Sequence, residues 1–127
     1  MKLTTRSRYA INALAELLVY SSNAPVRLKD ISEKQSIELN YLEQIFRKLR
    51  LAGIVKSIRG RNGGYIYASD PSKISIKQVM DAVGEDLDAT NCAGASSCLE
   101  GRQCSSHKLL DELNHLVDNY LSKIFIN

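Results

Sequence analysis

Apolar residues recur along this chain with two different periods, and these periods predict its elements. Over residues 9–20 the apolar positions follow the spacing of an amphipathic helix. A small polar cluster with a proline at residues 21–25 is expected to end that helix, since proline removes a backbone donor. Residues 28–35 repeat the helical spacing in a shorter form. The pattern therefore predicts two helices in the first third of the chain.

A third helix has stronger signals at both ends. Asn40 precedes its apolar run and Glu43 stands three residues later, which is a capping-box pattern with asparagine as the cap. Gly53 is expected to end the helix. The spacings three, one and three place four apolar side chains on one face: Leu42, Ile45, Phe46 and Leu49.

A β-hairpin is predicted directly after this helix. Residues 54–58 and 65–68 are β-prone, and the intervening residues 59–64 are rich in glycine and arginine. Two short helices followed by a basic hairpin form the outline of a winged helix-turn-helix. The alternative is a plain loop whose arginines only keep it soluble. The first interpretation gives a mainly α fold with one small β-hairpin.

The sequence from residue 75 onward predicts two further helices separated by a loop. Ser75 and Gln78 form a second capping box, for a helix that runs to about residue 83. Residues 105–125 are helical in pattern and long enough to serve as a dimerisation helix, although packing on the same chain is an alternative. The predicted heptad seam of this helix is Leu110, Leu113, Val117, Tyr120 and Ile124.

The predicted elements divide the chain into three parts. Residues 1–83 would form a winged helix-turn-helix domain, 84–104 a connector with a cysteine loop, and 105–127 the dimerisation helix. Their charges differ, because residues 1–80 carry fourteen Lys or Arg against six acids whereas residues 81–127 carry three against eight. The resulting +8 and −5 indicate a polyanionic partner for the first part.

Composition and motifs exclude several classes of protein. No apolar run approaches the roughly 18 residues of a membrane span, so we expect a cytoplasmic protein with no membrane partner. Paired carboxylates, a nucleophile with its base and a phosphate-binding loop before a helix are all missing from the sequence. The chain is therefore not expected to be an enzyme.

All three cysteines lie in one loop. Five residues separate Cys92 from Cys98 and Cys98 from Cys104, and two residues separate Cys104 from His107. Thiolates with an imidazole suit an iron-sulfur centre or zinc, and zinc sites favour shorter gaps between cysteines. Disulfides leave one cysteine over, and buried structural cysteines fit this polar loop poorly. An iron-sulfur cluster is the first hypothesis and zinc the second.

Several short segments match a known family. They are Leu3-Thr4, Arg8-Tyr9-Ala10, Asp30-Ile31-Ser32-Glu33-Lys34-Gln35, Tyr41-Leu42-Glu43-Gln44-Ile45-Phe46, Arg59-Gly60 and Gly63-Gly64-Tyr65, together with the cysteine loop. On these residues the chain resembles the IscR family of bacterial winged-helix iron-sulfur regulators, whose relatives include the nitric oxide-sensing NsrR proteins. Asn40 departs from the family regulator, which carries serine there.

The resemblance implies a function and a cofactor. It implies a homodimeric repressor of iron-sulfur assembly genes that binds a palindromic operator in double-stranded DNA. It also implies a 2Fe-2S cluster held by Cys92, Cys98, Cys104 and His107, and the histidine favours this assignment over the NsrR relatives. RNA polymerase and iron-sulfur assembly proteins are further candidate partners. Responses to nitric oxide or iron, and a zinc-binding or metal-free repressor, remain alternatives.

The third helix and the hairpin supply the candidate contacts to DNA. Gln44 suits adenine, Arg47 suits guanine or phosphate, and Glu43 suits a cytosine amino group unless capping engages it. Arginines of the hairpin suit a narrow minor groove, and lysines suit phosphates. The predicted DNA-binding residues are Asn40, Tyr41, Glu43, Gln44, Arg47, Lys48, Lys56, Arg59 and Arg61.

Overall fold

A computed structural model describes residues 3–20, 24–86 and 106–127, and the structural statements below concern these residues. Five helices, a short 3-10 turn at Pro71–Lys73 and one two-stranded hairpin are present there, which confirms the predicted mainly α fold. The elements are α1 (Thr5–Tyr20), α2 (Leu28–Gln35), α3 (Leu39–Leu51), β1 (Val55–Ile58), β2 (Gly64–Tyr67), α4 (Ile76–Ala82) and α5 (His107–Ser122).

Helices α1 to α4 and the hairpin enclose one hydrophobic core, and together they are called the head. The predicted apolar face of α3 lies inside this core, with Leu42, Phe46 and Leu49 fully buried. On α1 the buried side chains lie at spacings of three, three, one and three, and they are Ser7, Ala10, Ala13, Leu14 and Leu17. The periodicity of the sequence therefore determines which side of each helix faces inward.

The hairpin is fixed to the rest of the head along its base. Strand β2 pairs with β1 in antiparallel register, from Val55 opposite Tyr67 to Ile58 opposite Gly64. On its other side Tyr65 exchanges two backbone hydrogen bonds with Val26, of 2.9 and 2.8 Å. A Cβ on Gly64 would lie 2.4 Å from the carbonyl oxygen of Val26, so only glycine permits this close approach.

One predicted helix start is wrong and another is confirmed. Helix α3 begins at Leu39 with Glu38 as the N-cap residue, so Asn40 lies within the helix and its capping box with Glu43 does not form. The capping box of α4 does form. Ser75 accepts a 3.1 Å hydrogen bond from the Gln78 amide, and Gln78 accepts a 2.8 Å hydrogen bond from the Ser75 amide.

The last helix is shorter than predicted. It ends at Ser122, because the following residues adopt an extended conformation beside the turn before α4. There the Ile76 amide donates to the Ile124 carbonyl at 2.7 Å, and the Ile126 amide donates to the Ile74 carbonyl at 3.0 Å. Ile124 therefore lies beyond the helix in which the sequence placed it. The C-terminal residues of the chain are attached to the head by this short ladder.

The structure describes only some residues of the three predicted parts of the chain. Of the connector and cysteine loop, residues 84–86 are described and residues 87–104 lie outside the described part of the chain. None of the described helices is both long enough and apolar enough to cross a membrane.

Candidate nucleic-acid interface and metal-binding segment

The outward face of α3 carries most of the predicted DNA-binding residues. Its four buried side chains occupy one side, and at about 3.6 residues per turn the opposite side centres on Asn40, Gln44 and Arg47. These three side chains are exposed, as are Glu43 and Lys48 beside them. The helix therefore presents amide, carboxylate and cationic groups together on one continuous polar surface.

The corrected start of α3 changes the interpretation of Glu43. The sequence left this carboxylate with two possible roles, as a cap for the helix and as an acceptor for a base. Because Glu38 is the N-cap residue, the predicted capping role of Glu43 is not realised. Its exposed carboxylate remains suited to accept a hydrogen bond from a cytosine amino group.

Aromatic contacts fix α3 relative to its neighbours. The ring of Tyr41 meets Tyr9 of α1 edge to face, with centroids 5.8 Å apart, and Phe46 meets Tyr65 of the hairpin at 5.1 Å. The guanidinium carbon of Arg8 lies 6.0 Å from the Tyr9 ring centroid. Tyr41 is half-buried by this packing, so it differs from the exposed members of the predicted set.

The hairpin brings three further predicted residues to the surface beside α3. Lys56 on β1 and both Arg59 and Arg61 in the turn have exposed side chains. The turn is closed by a 3.0 Å hydrogen bond from the Gly63 amide to the Gly60 carbonyl. Positive φ at Gly60, +121°, is a conformation that favours glycine there.

Arg27 is a contact of the hairpin that sequence reasoning missed. Its Nη2 atom donates a 2.8 Å hydrogen bond to the main-chain carbonyl of Arg61. The two residues are 34 positions apart, and Arg27 belongs to no local motif. Only the docking of the hairpin against the start of α2 brings the two residues together.

Helix α5 exposes an apolar stripe, which is defined by Leu109, Leu113, Leu116 and Tyr120. Their side chains are 70, 48, 62 and 67 % exposed. Leu113 and Tyr120 belong to the predicted seam. The other helical members of that seam, Leu110 and Val117, are half-buried on the side that carries buried Leu121. The exposed stripe is thus rotated from the predicted seam by a fraction of a turn.

Lys77 links α4 to α5. Its Nζ atom contacts the Asp81 carboxylate on the same helix and lies 3.2 Å from Oδ1 of Asp118 on α5. Burial by itself lowers the pKa of Lys77. Hydrogen bonds to both carboxylates raise the pKa by more than burial lowers it, so the net shift is upward. The lysine therefore stays charged where the two helices meet.

Glu85 links the segment after α4 to the start of α1. Its carboxylate accepts hydrogen bonds from the Thr4 hydroxyl at 2.6 Å, from the Thr4 amide at 3.2 Å and from the Ser7 hydroxyl. Partial burial raises the pKa of Glu85, whereas these hydrogen bonds and nearby Arg6 lower it, with a net downward shift. A carboxylate at a helix N-terminus also interacts favourably with the helix dipole.

Of the predicted metal ligands, the structure describes one. His107 is the first residue of α5 and is half-buried, whereas Cys92, Cys98 and Cys104 lie outside the described residues. Within the described part of the chain, no three or more His, Cys, Asp or Glu side chains are grouped to hold a metal ion. Three thiolates and one imidazole nevertheless have the donor chemistry that iron-sulfur clusters accept.

Comparison with known proteins agrees with this geometry. Residues 3–127 match the Rrf2 family, described as an iron-dependent transcriptional regulator. The chain belongs to the Rrf2 family. It is 46 % identical over 124 residues to the HTH-type transcriptional regulator IscR of Vibrio vulnificus, covering 98 % of this chain and 74 % of that protein. It is 43 % identical over 124 residues to IscR of Yersinia pestis, covering 98 and 76 %.

Solved structures of Rrf2-type regulators share the fold. The global cysteine regulator CymR of B. subtilis has a TM-score of 0.81 at 28 % identity, covering 99 % of this chain and 93 % of that one. The structure of T. potens IscR has a TM-score of 0.79, also at 28 % identity, and the coverage is 99 and 83 %. The named relatives are transcriptional regulators, not enzymes, so this Rrf2 chain is a transcriptional regulator of the winged-helix type.

Proposed function

We propose that this Rrf2 protein is a cytoplasmic repressor of iron-sulfur assembly genes that senses cluster status. It would bind a palindromic operator as a homodimer and hold a 2Fe-2S cluster through Cys92, Cys98, Cys104 and His107. One observation carries the proposal. His107, three residues after Cys104, begins the helix whose outward side is the apolar stripe. One predicted ligand and the candidate dimer surface therefore lie on the same helix.

The head supplies the surface that reads DNA. The outward face of α3 suits a major groove, where Gln44 can pair with adenine and Arg47 with guanine. Arg59 and Arg61 on the hairpin suit the negative potential of a narrow minor groove, and Lys48 and Lys56 suit phosphates. The exposure of these side chains supports the assignment.

The apolar stripe of α5 is proposed as the dimer surface. Three exposed leucines and Tyr120, at spacings of four, three and four, form a heptad seam, which pairs with a like seam through knobs-into-holes packing. A two-fold interface of this kind presents two identical heads, which matches the symmetry of a palindromic operator. The proposed seam therefore contains Leu109, Leu113, Leu116 and Tyr120; Leu110, Val117 and Ile124 of the sequence prediction would lie at its side or beyond its end.

The metal-binding segment gives the proposed dimer its signal. When bound, a 2Fe-2S cluster supplies redox-sensitive and iron-sensitive ligation. Cys104 and His107 would fix the start of α5, and Cys92 would fix the chain seven residues after Glu85, whose carboxylate is bound to Thr4 at the start of α1. A change of ligation alters the relative position of the two heads only if the cluster binds one arrangement of the heads with greater affinity than the other.

An anaerobic purification tests the cofactor directly. One sample is analysed for iron, acid-labile sulfide and zinc, and its visible absorption spectrum is recorded. We expect iron and sulfide close to two per chain, with charge-transfer bands that are lost in Cys92→Ala and weakened or shifted in His107→Ala. His115→Ala, on the same helix, is the matched control and should leave the spectrum unchanged. An unchanged spectrum in His107→Ala would remove that residue from the ligand set.

A regulator with a different signal is the second candidate. The likeness to CymR, the global cysteine regulator of B. subtilis, supports it, because the same fold serves a protein named for another signal. Zinc without sulfide in the preparation, or no metal after anaerobic reconstitution, would favour this candidate. A spectrum that is bleached by nitric oxide, with operator binding that follows it, would instead favour a nitric oxide sensor.

A further inference from the structure

The hairpin is attached to the rest of the head at two places, its base and its tip. At its base, the backbone of Tyr65 is bound to Val26 by two hydrogen bonds of 2.9 and 2.8 Å, and the Tyr65 ring packs on Phe46. At its tip, the 2.8 Å bond from Arg27 to the Arg61 carbonyl is the contact with the start of α2. The two attachments differ in kind, since the tip depends on one side chain.

The position of this second attachment determines what it controls. Arg61 lies two residues after Arg59, within the turn that joins β1 to β2. The turn projects past the last backbone pair, Ile58 with Gly64, and it contains Gly60 and Gly63. Glycines increase the conformational freedom of such a tip. A hydrogen bond to the Arg61 carbonyl restricts the same backbone that carries the two arginines.

We propose that Arg27 is a positioning residue for DNA recognition, which holds the hairpin tip so that Arg59 and Arg61 face the minor groove. The inference rests on the proposed role of the hairpin in reading DNA. Its physical basis is pre-organisation, because a tip fixed before binding loses less conformational entropy on the duplex. Arg27 acts in this way through the Arg61 carbonyl and contacts no base.

Hydrogen exchange in the DNA-free protein tests the positioning itself. In Arg27→Met, which keeps the apolar stem of the side chain, we expect the Gly63 amide at the tip to exchange at least about threefold faster. The Tyr65 amide, bound to Val26 at the base, should keep its rate and so reports an intact fold. Lys29→Met, at an exposed cation on α2, is the control. An unchanged Gly63 rate in Arg27→Met would overturn the proposal.

A double-mutant cycle separates positioning from direct contact with phosphate. We expect Arg27→Met to weaken operator binding about fivefold in the wild-type background and to have no further effect when Arg59→Ala and Arg61→Ala are already present. Arg27→Lys should restore little, because the charge is kept but lysine lacks the guanidinium Nη2 atom that donates to the Arg61 carbonyl. An equal loss in both backgrounds, with the salt slope reduced by about one, would indicate a phosphate contact and contradict positioning.

The two experiments also separate this inference from the proposed function. If the wild-type protein binds no operator at all, the assignment of the hairpin to DNA fails, whereas a faster Gly63 rate in Arg27→Met would still show that Arg27 orders the tip. If wild type binds and the cycle is additive, the DNA assignment holds and the positioning role fails.

Discussion

Helices α3 and α5 each bury one side within the fold and differ in what the other side carries. Helix α3 buries four large side chains and exposes amide, carboxylate and basic groups. Helix α5 buries Leu121 alone among its residues and exposes leucines and a tyrosine. A polar, basic surface favours a polyanion, and an exposed apolar stripe favours a like surface. The comparison separates the surface proposed to read DNA from the surface proposed to join two chains.

The largest effect is expected from a charge on the apolar stripe. Leu113→Glu places a carboxylate in the proposed interface, where its desolvation is unfavourable, so we expect the dimer to weaken about 100-fold or more. Analytical ultracentrifugation measures the dissociation constant. The head should remain folded, because Leu113 is outside its core. Asn119→Glu adds the same charge at an exposed position off the stripe and is the control. A Leu113→Glu protein that dimerises like wild type would show that α5 does not join the chains.

A second large effect is expected on the polar side of the comparison. Arg59→Ala should weaken operator binding about tenfold and reduce the slope of log affinity against log salt by about one, because one cationic contact is removed. Fluorescence anisotropy at several salt concentrations measures both quantities. Lys123→Ala, beyond the end of α5, removes the same charge elsewhere and should change neither. Equal losses in the two variants would mean that charge in general, and not the hairpin, determines affinity.

A smaller effect is expected where Glu85, just after α4, is bound to the start of α1. Because the folded-state pKa of Glu85 is lowered, its carboxylate stabilises the fold above the unfolded-state pKa, and this contribution is lost as pH falls through the folded-state value. We expect Glu85→Gln to cost about 0.5–1 kcal/mol at pH 7, the range of a partly exposed helix-terminal charge. Urea denaturation at pH 7 and below pH 4 measures the difference, which should shrink at low pH. Glu112→Gln is the control. A pH-independent difference would contradict the ionic role.

The smallest effect is expected where α5 meets the head. Asp118→Asn removes one of the two carboxylates bound to Lys77, and because both partners are partly exposed we expect a loss of about 0.5 kcal/mol or less in stability. Differential scanning calorimetry against the Asp111→Asn control measures it. A loss as large as that of a core substitution would mean that this ion pair, and not the burial of Leu121, holds α5 in place.

The head could be predicted largely from the sequence. The apolar periods located α2 and the buried face of α3, and the Ser75–Gln78 capping box formed as predicted. The capping box at Asn40 did not form. Residues suited to a capping box, such as Asn40 and Glu43, do not by themselves determine where a helix begins. Helix α1 begins at Thr5, earlier in the chain than the first apolar position, because the Thr4 hydroxyl accepts a hydrogen bond from the Ser7 backbone amide.

The candidate sites required tertiary information at two points. Helix α5 is rich enough in leucine to contain two overlapping heptad seams, and the side that packs toward α4 determines which of them is exposed. The contact from Arg27 to Arg61 spans 34 positions and follows no sequence period. The predicted DNA, metal and dimer roles of the named residues stay predictions until they are measured. In contrast, the exposure of the polar face of α3 followed from its apolar period alone.

The central claim is that metal ligation and DNA recognition are coupled. It is tested most directly by one anaerobic titration, in which cluster-loaded wild type and Cys92→Ala are compared on an operator selected from random duplexes by the loaded protein. We expect Cys92→Ala to bind that operator at least about tenfold more weakly while it binds non-operator duplex equally well. Equal operator affinity for the two proteins, with the cluster shown to be present in wild type, would contradict the account.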